Sequence, residues 1–360
     1  MSERGLDCLF LYSFRSAITA YWTGYCPRHS VTNASLLVIT PSDALHVTRL
    51  PLHVATAERS RSPISHACAA PSGWAVATVE DLVATAAAWL PEDSLGRVAL
   101  AAYGPEAGIR GPLEQRFGPL EDVTAELVDA FHGTKDADDL ARLRKAAAGA
   151  QAAFDAGIAA LRVGGVPGDA VRAAETVLRD HGSVTWHCFA GGTDHLGRSL
   201  LQASASVLTP GTTAFFEVIP DIDSFCPEIV STVFVGDVPA EAHAIHDLLC
   251  RTLDSALGAI DATMSFGELF DLMIEPILAS GATESEVTRL GHATGLDNIE
   301  LPEFLAPDDP RPFRTDRVLS IHPNVKTAQY GTLFRGGTLI VGDTGCEPLF
   351  AFPDGPLVVS

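Results

Sequence analysis

Lysine is scarce in this sequence: Lys135, Lys145 and Lys326 are its only lysines, among 24 lysines and arginines in 360 residues. Against these cations stand 45 aspartates and glutamates, which give a formal net charge of -21 at pH 7. A chain this acidic repels nucleic acid and anionic membrane surfaces, so neither is expected as a partner. The shortage of lysine itself indicates a compositional bias rather than a function.

Long apolar runs are missing as well. A membrane-spanning helix needs about 18 consecutive apolar residues, and the sequence has no such stretch. The apolar run at residues 9–12 is far too short for a signal peptide. The seven cysteines are odd in number, and no two of them form a CxxC pair or another zinc-like spacing. We therefore expect reduced thiols in a cytoplasmic protein.

The apolar content of the chain is sufficient for two folded domains. Hydrophobic residues make up 47% of the chain and charged residues 19%, which excludes a disordered chain. At roughly 150 residues per domain, the length allows two domains. The pattern of predicted elements changes near residue 133, where an Ala-rich helix predicted at 136–161 follows a region of short strands and helices. We predict a smaller α/β domain at 1–133 and a larger α+β domain at 134–360.

Apolar periodicity predicts the elements of both regions. Helices are expected at 72–90, 120–131, 169–180, 239–260 and 266–280. Strands are expected at 98–101, 183–189, 213–219, 229–235, 317–322, 331–334 and 337–342.

Two glutamates stand in or beside strands that are otherwise apolar. Glu217 interrupts the predicted strand at 213–219, and Glu228 immediately precedes the strand at 229–235. A turn between consecutive strands can bring two such carboxylates together across neighbouring strands. Ionised carboxylates are almost never buried without a partner. The two residues therefore either point to solvent or form part of a functional site.

Two histidines occupy similarly unusual positions. His292 lies in Gly-His-Ala-Thr-Gly, where the backbone can approach a ligand closely. His322 ends an apolar strand and precedes Pro323, which favours an extended backbone. Together with the two glutamates they make a donor set that suits a metal ion. No short ligand motif is present, so the spacing alone does not decide the function.

Taken in order, these segments resemble the pita-bread family of aminopeptidase P, prolidase, methionine aminopeptidase and creatinase. The segments that carry the resemblance are 5–11, 20–25, 134–146, 265–271, 345–349 and 352–356, and the last two are most similar to creatinase. The resemblance implies a pita-bread catalytic domain of α+β class, preceded by a smaller α/β domain of the creatinase N-terminal type. It also implies a homodimer that acts on a small molecule.

The family's metallopeptidases hold two metal ions with Asp, Asp, His, Glu and Glu, and these positions have changed here. Carried over in order, with the eleven-residue spacing of the two Asp kept, they fall on Glu217, Glu228, His292, His322 and Gly336. One register over, the last position would be Arg335, which is not a ligand either. The resemblance thus implies that the dinuclear site, and with it ordinary Xaa-Pro peptidase activity, is absent.

The remaining donors surround one metal position. Glu228, His292 and His322 offer two imidazoles and one carboxylate, and Glu217 would be a fourth ligand or a nearby general base. Such a set suits one Zn²⁺ or Mn²⁺ ion in a hydrolase, or a non-haem Fe(II) centre. Alternatively no metal binds, as in creatinase, where side chains alone activate water.

Four further residues are candidates for contacts with the substrate. The peptidases carry a substrate-side histidine about eighteen residues before their first Asp, and no histidine occupies that position here. An insertion would bring His195 there as a catalytic group, and His187 lies earlier still. Arg335 and Arg198 are candidates for binding a substrate carboxylate. The simpler interpretation of each is a histidine or arginine on the surface.

Three functions stay open. The first is hydrolysis of a C–N bond, in which a metal lowers the pKa of bound water and Glu217 accepts or hands on the proton; without metal, the glutamates and a histidine would share the acid–base work. The second is an iron oxygenase, oxidase or lyase on the same scaffold. The third is a non-catalytic relative that binds a ligand. We favour hydrolysis because the changed residues can still act as ligands, whereas decay would leave Ala, Ser or Asn.

Overall fold

The structure, a computed structural model, divides into two compact units, Met1–Ala130 and Phe131–Ser360. The sequence predicts a boundary close to this point, near residue 133. The structure describes residues 4–13, 34–59, 64–72, 75–90, 95–103, 108–183, 186–192, 206–237, 239–300, 304–352 and 355–360. No described helix is long and apolar enough to cross a membrane.

The first unit is a small α/β domain around a six-stranded sheet. Its strands follow the spatial order β4-β3-β2-β1-β5-β6, with β1 antiparallel to β2 and parallel to β5. The strands are β1 (Cys8–Ser13), β2 (Ser35–Ile39), β3 (Ala44–Thr48), β4 (Ser65–Cys68), β5 (Val98–Tyr103) and β6 (Glu121–Asp122). The helices are α1 (Pro51–Arg59), α2 (Val79–Trp89) and α3 (Arg110–Phe117), with α4 (Thr124–Gly133) at the end of the unit.

Helix α2 begins later than the apolar pattern at 72–90 predicts. Thr78 accepts a hydrogen bond from the backbone N–H of Asp81, and the Asp81 carboxylate accepts one from the N–H of Thr78. This capping box satisfies backbone donors that helix geometry leaves unpaired, so the helix starts at Val79. Its buried face, with Leu82 and Ala86, packs in the core beside Phe10 and Leu100.

The second unit contains a nine-stranded sheet, which carries the residues of interest. The main spatial order is β10-β11-β13-β9-β8-β7, with β12 and β14 paired to β13, and β15 paired to β9. The strands are β7 (Trp186–Gly192), β8 (Thr212–Pro220), β9 (Ile229–Val235), β10 (Gly291–Ala293), β11 (Val318–Ile321), β12 (Asn324–Thr327), β13 (Gly331–Gly342), β14 (Gly345–Pro348) and β15 (Leu357–Val359). The helices are α5 (Ala137–Ala160), α6 (Gly168–Asp180), α7 (Ala240–Ala259) and α8 (Phe266–Ala279), and a 3₁₀ turn covers Glu284–Glu286.

Small residues on α5 let this helix approach the sheet closely. Phe154 stacks on Phe216 of β8 with ring centroids 5.5 Å apart. A Cβ at Gly157 would lie 2.2 Å from the Phe216 ring, so the ring fills the space that a larger side chain would need. Since neighbouring residues of a strand point to opposite faces, Phe215 and Glu217 lie on the face away from this helix.

Strand β13 is continuous where the sequence predicts two strands separated at residues 335–336. Gly336 and Gly337 pair with Val230 and Ile229 of β9, and Gly337 also pairs with Ile321 of β11. Pairing on both sides keeps the glycines extended despite their low intrinsic strand preference. The alternation of faces therefore runs without interruption through this strand.

Candidate active site

The β8–β9 hairpin brings the two glutamates together. Glu217 is opposite Val230 in the antiparallel register. Glu228 lies two residues before Val230 and hence on the same face, diagonal to Glu217. The intervening turn includes Asp223 and Ser224, with φ of 52° and 72°. Both glutamates are buried, with 7% and 2% of their surface exposed, and they are hydrogen-bonded to each other.

Two neighbouring strands supply the imidazoles. His292 of β10 is opposite Ser320 of β11, and His322 directly follows β11, where its backbone N–H donates to the carbonyl of Leu290. Nε2 of His292 lies 3.2 Å from Oε2 of Glu228, and Nε2 of His322 lies 3.6 Å from its Oε1. One donor atom from each of these three buried residues lies within 4.8 Å of the others. This spacing is compact enough for all three to contact a single ion.

The protonation states follow from burial and mutual charge. Burial, and then the charge of Glu228, raise the pKa of Glu217 well above its ordinary value. Burial also acts to raise the pKa of Glu228, but the hydrogen bond with His292 and the charges of both histidines lower it to about 2. Burial lowers the pKa of His322 to about 4, against the raising effect of Glu228, so this ring is neutral at pH 7. A carboxylate and a neutral imidazole are the forms that bind metals.

The orientation of His292 also fits a cation. Its Nδ1 lies 3.1 Å from the carbonyl oxygen of Ala293, and in the neutral tautomer that donates to this carbonyl the lone pair of Nε2 faces Glu228. A lone pair 3.2 Å from a carboxylate oxygen is unfavourable unless a second proton or a cation lies between them. The donor set and its orientation therefore fit a single divalent metal ion.

Residue 336 faces the same site but has no room for a side chain. Gly336 is opposite Val230, which is itself opposite Glu217, so the three share a row across the sheet. A Cβ at Gly336 would lie 2.0 Å from the carbonyl oxygen of Ile321 and 2.5 Å from Cα of His322. No real Cβ tolerates such distances to backbone atoms. A fifth ligand at this position is therefore excluded by the backbone itself.

Hydroxyl groups hold β9, β11 and β13 in this close arrangement. Thr338 of β13 donates its backbone N–H to the carbonyl of Glu228 at 2.9 Å, and its Oγ1 accepts the backbone N–H of Glu228 at 2.8 Å. Oγ1 of Thr338 also lies 2.8 Å from Oγ of Ser320. The strands that carry Glu228 and His322 are thus tied together through one threonine.

Glu228, His292 and His322 form a cluster that we call the Glu228 cluster. A cavity of about 260 Å³ opens beside it. Three phenylalanines form its aromatic wall, and a positive charge and three uncharged polar residues add to its lining. The lining residues are Phe189, Phe215, Glu217, Ile219, Glu228, Val230, Thr288, Arg289, His292, Asn298, Ile299, His322, Thr332 and Phe334. The cavity is of the kind that binds small molecules, mostly apolar with a few converging polar groups.

Sequence reasoning missed Arg289 and Asn298, which lie three residues before and six residues after His292. Their proximity to that histidine was the available signal, but no motif marks them. Phe189 was also missed; it is opposite Glu217 in the β7–β8 pairing, and only the strand register reveals this.

The other predicted site residues are not part of the cluster that the structure describes. His195 and Arg198 lie outside the described residues. His187 is exposed on β7, opposite Ile219, with its ring 6.0 Å from that of Phe189, and it does not line the cavity. It lies two residues from Phe189 on the same face, beyond the lining of the cavity.

Arg335 faces away from the cluster. Its guanidinium stacks on Phe352 at 4.1 Å, and Nη1 donates to Oγ of Ser231 at 3.4 Å. It lines a separate cavity of about 330 Å³ with Cys250 and Asp254. Since Gly336 is on the face of the cluster, alternation along β13 directs Arg335 to the opposite face, so it is not brought to the site that the sequence suggested.

The six described cysteines are free thiols, in agreement with the expectation from their spacing. Burial raises the pKa of Cys8 and of Cys188 to about 12, so neither forms a thiolate at neutral pH. Cys226, two residues before Glu228, donates its backbone N–H to the carbonyl of Gly295. These observations support packing roles for the described thiols.

The sequence and the fold are similar to those of known peptidases. The profile of "Metallopeptidase family M24" matches residues 141–343. An uncharacterized peptidase of Staphylococcus saprophyticus is 19% identical over 240 residues, 66% of this chain and 67% of that protein. The putative dipeptidase YkvY of Bacillus subtilis is 22% identical over 251 residues, 69% of each chain. The matched region thus spans about two thirds of these relatives.

Solved structures show the same fold over nearly the whole chain. The X-Pro aminopeptidase of Thermotoga maritima superposes with a TM-score of 0.85 at 17% identity, covering 99% of this chain and 97% of that one. The prolidase of Pyrococcus furiosus superposes with a TM-score of 0.81 at 15% identity, covering 98% of each. These matches confirm the pita-bread resemblance, and the chain belongs to metallopeptidase family M24.

Proposed function

We propose that this protein hydrolyses a C–N bond in a small molecule and uses one divalent metal ion, held by Glu228, His292 and His322. The observation that carries the proposal is the convergence of these three buried donors beside Gly336, where the backbone of Ile321 and His322 leaves no space for another ligand. Membership of a metallopeptidase family favours hydrolysis over the oxygenase and lyase alternatives. These donors differ from the Asp, Asp, His, Glu and Glu that hold two metal ions in the family's peptidases, which argues against an ordinary dinuclear Xaa-Pro peptidase.

A divalent cation at these residues would supply Lewis acidity toward a carbonyl group and toward water. Zn²⁺, Mn²⁺ and Fe²⁺ all accept two imidazoles and one carboxylate. Glu228 contributes the negative charge, and its backbone is fixed by Thr338. His292 is oriented by the carbonyl of Ala293.

Glu217 is the group that moves a proton. It lines the cavity, and burial beside the charge of Glu228 raises the pKa of its carboxyl group. A protonated carboxyl next to the scissile bond can give its proton to a departing nitrogen. The aromatic wall formed by Phe189, Phe215 and Phe334 limits the access of bulk water to this transfer.

Elemental analysis of the purified protein tests the metal assignment. We expect about one divalent ion per chain in the wild type, and loss of both the ion and the hydrolase activity in Glu228→Ala, His292→Ala and His322→Ala. Asp223→Ala and His243→Ala serve as matched controls, because neither residue lines the cavity. Activity is measured as release of free amine from N-acyl amino acids and other small amides.

Two outcomes would overturn the proposal. Two tightly bound ions per chain would contradict the exclusion at residue 336. Full activity after exhaustive chelation would show that the side chains act without metal, as in the creatinase-like alternative.

A further inference from the structure

Arg289 is an exposed cation beside the site. It lines the cavity beside the Glu228 cluster, and it is close enough to oppose the raised pKa of Glu217. Its guanidinium lies 4.9 Å from the ring of Phe304. Within the part of the chain that the structure describes, it has no carboxylate at ion-pair distance, although the sequence holds 45 acidic residues against 24 basic ones.

Other arginines of the same unit do have acidic partners. Arg144 binds both carboxylate oxygens of Glu347, at 2.8 and 2.6 Å. Arg311 binds both oxygens of Asp309. Arg289 has no such partner and lines the cavity, so its guanidinium is available to pair with a carboxylate of the ligand.

The backbone beneath Arg289 is held in place. The buried side chain of Asn324 donates from Nδ2 to the carbonyls of Arg289 and His322, both at 3.0 Å. Its Oδ1 accepts the backbone N–H of Thr288 at 2.9 Å and the hydroxyl of Thr288 at 2.8 Å. One asparagine therefore links the segment that carries the cation to a residue of the cluster. Such fixed positioning is what recognition of a specific ligand requires.

Asn298 provides a second polar feature of the cavity lining. Its Oδ1 is buried and has no hydrogen-bond partner. The loop that carries it is anchored by a buried ion pair, in which Nζ of Lys135 lies 2.9 Å from Oε2 of Glu300. Oε1 of Glu300 accepts the backbone N–H of Leu296 at 2.7 Å. A buried carbonyl oxygen without a donor is costly unless a ligand N–H supplies one.

The remaining lining is apolar. Phe215 and Phe334 lie with their ring centroids 5.8 Å apart and their planes at 53°, and Ile219 and Val230 complete this part of the wall. A cavity of about 260 Å³ has room for one amino acid with a short acyl group but not for a longer peptide.

We infer that the cavity binds an N-acylated amino acid with an apolar or aromatic side chain. Its carboxylate pairs with Arg289, its amide N–H donates to Oδ1 of Asn298, and its side chain lies against Phe215 and Phe334. An Xaa-Pro bond has no N–H to donate, so this arrangement disfavours proline-containing dipeptides. The identity of the bond that is cleaved rests on the proposed function, whereas the recognition of the carboxylate does not.

Hydrolysis of such a ligand needs only one water molecule besides the groups of the site. Water adds its oxygen to the acyl carbon, and the C–N bond breaks. One proton of the water passes through the Glu217 carboxyl group to the amine nitrogen. The products are a carboxylic acid and a free amino acid.

Isothermal calorimetry with two ligands of equal size tests the recognition without catalysis. We expect the full-length protein to bind 3-phenylpropionate about tenfold more tightly than 3-phenylpropanamide, because only the acid can accept a forked pair of bonds from arginine. Arg289→Ala should abolish this preference, and Arg289→Lys should restore only part of it. Arg251→Ala, on the exposed side of α7, is the matched control and should keep the preference.

Equal affinity for the acid and the amide would overturn the inference. So would a preference for the acid that survives in Arg289→Ala, since the carboxylate would then bind at the Glu228 cluster.

Kinetics separate this inference from the proposed function. With N-acetylphenylalanine as the substrate, Arg289→Ala should raise KM by about tenfold, and KM for N-acetylphenylalanine amide should change much less. If binding depends on Arg289 but no amide is hydrolysed, the proposed hydrolysis fails and the recognition stands. If amides are hydrolysed without any preference for a carboxylate, the recognition fails and the hydrolysis stands.

Discussion

Glu217 and Glu228 carry the same carboxyl group, yet their surroundings shift their pKa values in opposite directions. Glu228 has two imidazoles as neighbours, which stabilise its charge. Glu217 has Glu228 as its main charged neighbour, with Arg289 opposing its effect. Two buried like charges this close repel each other, so the charge of Glu228 raises the pKa of Glu217. The pair therefore combines an anion with a carboxyl group that takes up a proton more readily than an ordinary glutamate.

The proton transfer that we assign to Glu217 leads to a prediction for Glu217→Gln. Glutamine keeps the size and a donor toward Glu228 but has no proton to transfer. We expect kcat to fall by about 10²–10⁴-fold, while metal content by elemental analysis stays at the wild-type value. An unchanged kcat with normal metal content would remove Glu217 from the reaction.

The close packing at Gly336 leads to a second prediction. Gly336→Ala forces a Cβ against the carbonyl of Ile321, so we expect a loss of about 3 kcal/mol or more in unfolding free energy, together with weaker metal binding as His322 is displaced. Urea denaturation and metal titration measure the two effects. Gly258→Ala is the control: nothing lies within 4 Å of its Cβ position on helix α7, so this change should stabilise by about 0.5–1 kcal/mol. Equal behaviour of the two variants would contradict the packing argument.

At the scale of elements, the strands of the sheet position the glutamates and histidines of the candidate site. The segments between elements carry Arg289 and Asn298, to which we assign the ligand selectivity. Apolar periodicity was sufficient to predict β8, β9 and β11, and the resemblance to the pita-bread family arranged the glutamates and histidines in order. The face of the sheet on which each residue of β13 lies was not predictable. It depends on pairing with β9, which is distant in sequence, as well as with β11. Arg289 and Asn298 lie between elements, where no periodicity indicates which way a side chain points.

Asn324 connects two of these segments, and its removal should affect both. Asn324→Ala leaves the carbonyls of Arg289 and His322 and the N–H of Thr288 without this partner. We expect a loss of about 2 kcal/mol in stability and weaker binding of 3-phenylpropionate, measured by urea denaturation and calorimetry. Thr288→Val removes only the hydroxyl bond to Asn324 and should have a smaller effect on both. If Asn324→Ala weakens stability but leaves ligand affinity unchanged, the link to Arg289 is wrong.

At the scale of the whole molecule, each unit buries an uncharged histidine, and this makes the fold sensitive to acid. Burial, and then the neighbouring His66 and His53, lower the pKa of His46 in the first unit to about 3. Burial, and then Arg335, lower the pKa of His246 in the second unit to about 4. Both values lie below 6.5, the ordinary value, so the unfolded chain binds more protons than the folded one between about 4 and 6.5.

Stability should therefore be full above pH 6.5 and should fall as the pH is lowered toward 4. His246 alone contributes about 3 kcal/mol to this loss. The unfolding free energy from urea titrations at pH 7.5, 6.5, 5.5 and 4.5 measures the slope. His246→Leu should flatten it, even if the variant is less stable at pH 7.5, whereas an unchanged slope would show that His246 is not the titrating group.

The family assignment extends over most of the molecule, but several whole-molecule properties do not follow from it. The homodimer and the cytoplasmic location stay predictions from the resemblance and the composition. The composition itself, with its net charge of -21, contained no information about the site, where a few buried groups matter more than the overall charge. The proposed difference from a dinuclear peptidase involves few residues of the sheet.

The close approach of Ile321 and His322 to Gly336 has a consequence for how this site can change by mutation. A single substitution at residue 336 cannot return a carboxylate to the sheet, because the carbonyl of Ile321 occupies its place. That carbonyl would have to move first, although Thr338 and Ser320 link the strands on either side of it. In the proposed single-ion site, the absence of a ligand at residue 336 would thus be fixed by the path of the backbone, and we expect stepwise introduction of one to pass through intermediates less stable than either end point.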